Sequence, residues 1–181
     1  MNVLDLSRIN LISPYTVWNT TERYYFFKTD HGAVYKIGFM DDFSIWETGA
    51  YQFLIINESG SASPLDQKLR MTVLCIIEAF FTANPEILLY ICETGDGKQE
   101  FRARLFIRWF NSYGNREAYV METAEVKEGE NKNFAALIVQ KSNPKLQEII
   151  AEFDETIRIL TNKPGHIHLQ RTAGDGEVTH A

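Results

Sequence analysis

The residues best placed to do chemistry follow a short apolar run in the middle of the chain. Gly95 and Gly97 flank an aspartate in a turn, and Lys98 and Arg102 follow at the start of a predicted helix. Backbone amides at a helix N-terminus bind anions, and neighbouring cations add to that attraction. The turn therefore predicts an anion-binding site, while an ordinary strand-to-helix turn would use the same glycines without any ligand.

Two charged residues point into the apolar faces of their own predicted helices. On a helical wheel with about 100° per residue, these are Arg102 and, one helix earlier, Asp66. Because burying an unpaired charge is costly, we expect the two to meet, directly or through Tyr90 or Gln99. Such a pair would either fix the register of the two helices or form half of a site in which Arg102 holds a substrate anion.

Three further arginines would suit a strip that binds nucleic acid. They are Arg104, Arg108 and Arg116. The aromatic residues of the same helix lie on its opposite face, so the arginines are interpreted as a solvated helix side. The net charge of −6 also argues against general nucleic-acid binding.

The remaining reactive residue types suggest neither a nucleophile with its base nor a metal site. The histidines are His31, His166, His168 and His180. They fall in a turn and in the C-terminal segment, where flexible pairs bind metals poorly. Cys75 and Cys92 each lie in an apolar run, which is typical of reduced, buried thiols in a cytoplasmic protein. We therefore predict no catalytic residue, no metal and no cofactor from these residues.

These residues must be positioned by strands and helices, which periodicity and turn signals predict in the order β-β-β-α-β-α-β-β-α. The predicted strands are residues 24–29, 34–40, 51–56, 87–92, 118–127 and 134–140, and the helices lie within 63–84, 98–113 and 143–160. A helix separates 51–56 from 87–92, so these two should be adjacent parallel strands. The predicted fold is one α+β domain with a mixed β-sheet over residues 1–162, followed by a mobile tail at 163–181.

Two local details complete the predicted elements. Ser63 is the expected N-cap of the first long helix, with Pro64 at its first position and Asp66 as the acid of a capping box. Residues 1–22 give a mixed signal that predicts one short element.

The size, charge and apolar content of the chain restrict the class of protein. With 181 residues, 45% of them hydrophobic, the chain can bury one good-sized core. Asp5 interrupts the N-terminal segment, and no run reaches the ~20 apolar residues that a membrane span needs, so a cytoplasmic protein is predicted. The exposed part of Tyr24–Phe27, with Phe43 and Trp46, is expected to pair two chains or to meet a partner protein.

Two resemblances add to these predictions. The aromatic hairpin, the helix containing Asp66, and the runs LLYICETGDGKQ and RARLFIRWF resemble a bacterial family known only as a domain of unknown function. That resemblance covers roughly residues 24–115 and implies no activity.

The element order separately resembles the core of the Gcn5-related N-acetyltransferase fold, entered without its first helices. In that fold a Gln/Arg-x-x-Gly-x-Gly/Ala signature holds the pyrophosphate of the coenzyme. The nearest run is NESGSA at 57–62, with Asn57 in place of Gln or Arg. The resemblance implies acetyl-coenzyme A as a cofactor.

Two functions follow as hypotheses from different classes. The first is a non-catalytic binding or accessory protein whose partner is another protein or a small anionic ligand. The second is a degenerate, acyl-coenzyme A-dependent N-acyltransferase. A titration with acetyl-coenzyme A separates them.

Overall fold

A computed structural model of the chain describes residues 1–42, 49–60, 66–92, 98–128 and 131–161. The helices are α1 Leu6–Ile12, α2 Gln67–Ala83, α3 Gln99–Asn111 and α4 Leu146–Thr161, with a short 3-10 turn at Arg116–Ala118. The strands are β1 Val17–Thr21, β2 Tyr24–Lys28, β3 Val34–Asp42, β4 Ala50–Asn57, β5 Ile87–Cys92, β6 Tyr119–Glu128 and β7 Asn131–Gln140. The predicted class, α+β with one mixed sheet, is confirmed.

The seven described strands form one sheet in the order β1-β2-β3-β4-β5-β7-β6. Neighbours are antiparallel except β4 and β5, which run parallel as predicted for 51–56 and 87–92. Their pairing joins Ala50–Phe53 to Ile87–Tyr90. Beyond that point, within the described residues, β4 is paired only with β3 and β5 only with β7.

Helices cover the two faces of the sheet unequally. On one face α2 and α3 bury an aromatic core around Phe53, Phe80 and Phe106. On the other face α4 covers β5, β7 and β6, with Leu89 and Leu137 in a separate apolar cluster. Because successive side chains of a strand point to opposite faces, both clusters draw on the same central strands.

The N-terminal segment contains two elements, α1 and β1, where one was predicted. Asn10 joins them, because its side chain accepts a hydrogen bond from the Val17 amide at 2.7 Å and donates one to the Val17 carbonyl at 2.9 Å. Tyr15, between the two elements, is buried and stacks on Phe27 with ring centroids 5.9 Å apart. Strand β1 therefore extends the sheet beyond the aromatic hairpin.

Helix α2 begins later than its capping signature predicted. Its first residue is Gln67, and Asp66 is the N-cap, with its carboxylate accepting a hydrogen bond from the Leu69 amide at 2.5 Å. The role of Asp66 as a capping-box acid inside the helix is therefore wrong. An aspartate serves well at the N-cap because its oxygen satisfies an amide that has no partner within the helix.

Candidate functional site

A cleft of about 710 Å³ opens where β4 and β5 separate. We call it the β4–β5 cleft. It is lined by β4 from Gln52 to Asn57, by the end of β5 and by α3, together with Tyr35, Met40 and Leu69. Phe53 and Ile55 belong to the core on the α2–α3 face, and Leu54 and Ile56 alternate with them along the strand. Since all four line the cleft, it reaches both faces of the sheet.

The backbone of β4 contributes an open edge to this cleft. Residues Leu54–Asn57 are paired with Tyr35–Gly38 of β3 on one side, while their pairing with β5 has already ended at Phe53. Backbone N–H and C=O groups on the second side of a strand normally bond to a neighbouring strand. Among the described residues, the cleft occupies that position beside Leu54–Ile56, so this part of the edge can bond to an extended ligand that carries amides.

Two cations from the beginning of α3 line the same cleft. Lys98 is the N-cap position of α3 and makes no side-chain capping bond, and Arg102 lies one turn further along. Both residues also have other interactions in the molecule. Phe101 and Leu105, on the same side of α3, add apolar surface next to the two charges. The combination is suited to an anion with an apolar portion.

Asp66 does not share this site with Arg102. Within the described contacts, its carboxylate accepts hydrogen bonds from the Leu69 amide and from the Tyr15 hydroxyl, the latter at 2.9 Å. The Tyr15 hydroxyl in turn accepts a bond from the Asp30 amide at 3.3 Å. Burial, followed by the hydrogen bond and charge of Asp66, raises the pKa of Tyr15 above its ordinary value. The two charges that were predicted to meet are thus satisfied separately.

Tyr90 lies beneath α3 and reaches two clefts. Its ring is buried, with its centroid 4.1 Å from that of Phe106. It lines the β4–β5 cleft on one side and a smaller cleft of about 200 Å³, between α3 and strands β6 and β7, on the other. Glu100 and Glu125 line the smaller cleft, and Glu100 is paired with Arg104 at 2.5 Å.

The three arginines of the predicted strip lie in two different environments. Arg104 and Arg108 are exposed on α3, in agreement with a solvated helix side. Arg116 instead donates to the Tyr119 carbonyl at 2.7 Å and stacks over the Phe110 ring at 5.2 Å, so it holds the chain between α3 and β6.

The aromatic strand Tyr24–Phe27 is half core and half surface. Tyr25 and Phe27 are fully buried, while Phe26 stacks on Trp18 of β1 with ring centroids 6.0 Å apart. Trp18 remains 40% exposed. The pairing of two chains through this patch stays a prediction.

Several residues singled out in the sequence lie outside the described ranges. They are Gly95 and Gly97 of the glycine-rich turn, Phe43 and Trp46 of the aromatic patch, Ser63 and Pro64 of the capping signature, and the segment 163–181 with its three histidines. The side chains of Cys92 and Gln99 are likewise outside the description. Their predicted roles stay predictions.

Two features concern metals and membranes. Across the described ranges no group of three or more His, Cys, Asp or Glu side chains could hold a metal ion. No helix in that part of the chain is long and apolar enough to cross a membrane. Cys75 is half-buried, and burial, with a smaller contribution from the charge of Glu78, raises the pKa of its thiol.

The cleft contains residues that the sequence assigned elsewhere. Phe101 was placed on the core face of its helix, yet it is 58% exposed at the cleft. Ile56 ends the predicted strand 51–56, and its side chain is 41% exposed at the cleft. The apolar side chains at the end of strand 51–56 were the available signal for a cleft. They indicate one only when the positions of the helices are known.

The fold is that of an α+β protein with a cleft between two parallel strands of one mixed sheet. The chain belongs to a family of unknown function, DUF6169, which it matches over residues 65–155. This confirms the predicted membership of a family of unknown function, although the match lies further along the chain than 24–115. No curated protein and no solved structure matches the chain, so the resemblance to the acetyltransferase fold is not confirmed.

The family match divides the β4–β5 cleft. Residues 65–155 include α3, with Lys98 and Arg102, and the whole of β5 with Tyr90. Strand β4, which supplies the open edge, lies before the matched region. The cationic wall of the cleft is therefore part of the family region.

Proposed function

We propose that this protein binds a small anionic ligand with an extended, amide-containing chain, of the acyl-coenzyme A class, in the β4–β5 cleft. The observation that carries the proposal is the separation of β4 from β5 after Phe53 and Tyr90. It leaves a strand edge that can bond to the amides of a pantetheine arm as it would to a neighbouring strand.

The charge and size of the cleft support the same class of ligand. Lys98 and Arg102 place two positive charges at the start of α3, where the helix dipole also favours an anion. A guanidinium binds phosphate oxygens through two parallel hydrogen bonds. The volume of about 710 Å³ lies within the ~300–1,000 Å³ that small-molecule sites occupy.

Calorimetric titration with acetyl-coenzyme A and with coenzyme A tests this proposal. We expect saturable binding of both, and Arg102→Ala should weaken it about 10- to 100-fold, the effect of losing one charged hydrogen bond. Arg108→Ala is the matched control, because it removes the same charge from the exposed side of the same helix, outside the cleft. Absence of binding to either compound at millimolar concentration would overturn the proposal.

Transfer of the acyl group to an amine is a second candidate, favoured by the position of Tyr90 between two clefts. Glu100 and Glu125 in the smaller cleft would attract a cationic amine. In this reaction the ammonium group first loses a proton to solvent. The neutral amine nitrogen then bonds to the thioester carbonyl carbon, the carbon–sulfur bond breaks, and the thiolate leaves and takes up the second proton that the nitrogen releases. Thiol release from acetyl-coenzyme A with a diamine, against controls without amine and without protein, tests it. Binding without release would make the protein a binding protein alone.

A further inference from the structure

The apolar surface of the β4–β5 cleft carries information about the ligand beyond its charge. Three large hydrophobic side chains at the cleft are substantially exposed: Phe101 at 58%, Met40 at 43% and Ile56 at 41%. Leu54 and Leu105 are half-buried between them. Exposed apolar side chains are ordinary when scattered, but their grouping along one concave surface marks a binding site.

The apolar and cationic parts of the cleft are arranged along its length. Lys98 and Arg102 lie in the first turn of α3, whereas Leu105 and Trp109 continue the wall along the later turns. Opposite them, Leu54 and the exposed Ile56 extend the apolar surface to the second face of the sheet. An occupant with a negative charge at one end and hydrocarbon at the other matches both parts.

We infer that the ligand carries a hydrocarbon chain longer than acetyl, which lies along the apolar wall formed by Leu54, Ile56, Phe101, Leu105 and Trp109. The inference rests on the proposed function, because the anionic end is taken to be the coenzyme. It adds the substrate class: a medium- or long-chain acyl thioester. Covering Phe101 and Ile56 removes apolar surface from water, which is the source of the chain-length preference.

A series of thioesters of increasing chain length tests the inference. Acetyl-, butyryl-, hexanoyl- and octanoyl-coenzyme A are titrated into the full-length protein by calorimetry. Affinity should rise about fourfold per added methylene, equivalent to ~0.8 kcal/mol, until the apolar wall is covered. Equal affinity for acetyl- and octanoyl-coenzyme A would overturn the hydrocarbon inference while the proposed coenzyme binding stands.

Sodium octanoate provides the arm that separates this inference from the proposed function. Binding of octanoate, with no binding of acetyl-coenzyme A, would support the hydrocarbon site and overturn the coenzyme proposal. Failure of every thioester and of octanoate to bind would overturn both.

Two variants at residues of similar exposure test where the hydrocarbon chain of the ligand binds. Phe101→Ala removes a cleft side chain that is 58% exposed, and Ile159→Ala removes one that is 55% exposed on α4, outside the cleft. Neither change opens the core, so both variants should fold. Phe101→Ala should lower the ratio of octanoyl- to acetyl-coenzyme A affinity several-fold, and Ile159→Ala should leave it unchanged. The same ratio in both variants would place the chain elsewhere and overturn the inference.

Discussion

Strand β4 pairs with two neighbouring strands, and the two pairings differ in length. Against β3 it is paired along its full length, from Ala50 to Asn57. Against β5 the pairing stops at Phe53, and the cleft begins there. The same strand is therefore fully paired along one edge and lines a cleft along part of the other. The proposed binding site therefore lies where the backbone pairing of β4 with β5 ends, next to the two cations at the start of α3.

The largest expected effect concerns the last paired position. Phe53→Ala removes a buried ring that lies 5.6 Å from Phe39 and 5.8 Å from Phe106, centroid to centroid, and should lower the free energy of unfolding by ~3–5 kcal/mol. Ile56→Ala, three residues along the same strand but at the cleft, should cost under ~1 kcal/mol. Urea denaturation measures both. Equal costs would mean that the end of β4 is packed as tightly as its beginning.

The second prediction compares the two charges at the starts of neighbouring helices. Asp66→Ala removes the N-cap of α2 and the partner of the Tyr15 hydroxyl, and should cost ~1–2 kcal/mol of stability. Combined with Arg102→Ala, the two effects should add within ~0.5 kcal/mol, because the residues do not contact each other. Thermal or urea unfolding of the single and double variants provides the cycle. A clear departure from additivity would show that Asp66 and Arg102 are energetically coupled.

The third prediction concerns the titration of the Tyr15 hydroxyl, which donates a hydrogen bond to Asp66. The pKa of Tyr15 is raised in the folded protein, so above about pH 10 the unfolded chain loses the phenol proton first. The stability contributed by the neutral phenol is present below that pH and is lost as pH rises toward the folded pKa. Tyr15→Phe should therefore reduce the loss of stability above pH 10 by up to ~1.4 kcal/mol per pH unit. Urea midpoints between pH 9 and 11 measure the difference; identical slopes would contradict the hydrogen bond from Tyr15 to Asp66.

The smallest effect belongs to the rim of the smaller cleft. Glu100 and Arg104 form an exposed pair one helical turn apart, so Glu100→Gln should change stability by less than ~0.5 kcal/mol. Urea denaturation at low and high salt checks this, and the difference from wild type should shrink as salt rises. A larger cost would mean that Glu100 supports the structure rather than only lining a surface.

Much of the fold was predictable because the signals are local or topological. Alternation placed the strands, and the helix between residues 51–56 and 87–92 required them to be parallel. Strand β1 was missed because VWNTT is short and half polar, and its pairing with β2 and its bonds to Asn10 are made by residues elsewhere in the chain.

The candidate site was harder to predict, for a physical reason. A helical wheel gives the direction of Arg102 and Asp66 about their axes but not the distance between the two helices. Tyr15, whose hydroxyl donates a hydrogen bond to the Asp66 carboxylate, lies 51 positions from Asp66 in the sequence. The cleft depends on where the pairing of β4 and β5 stops, and no local pattern encodes that register.

The short seam between β4 and β5 also has a mechanical meaning. Ala50–Phe53 and Ile87–Tyr90 provide the only strand pairing, in the described part of the chain, between the block β1–β4 and the block β5–β7–β6. Amide hydrogens of β4 on its second edge should exchange slowly up to Phe53 and faster beyond it. A bound chain that pairs with Leu54–Ile56 would connect the two blocks mechanically. Occupancy would then raise the cooperativity of unfolding as well as its midpoint.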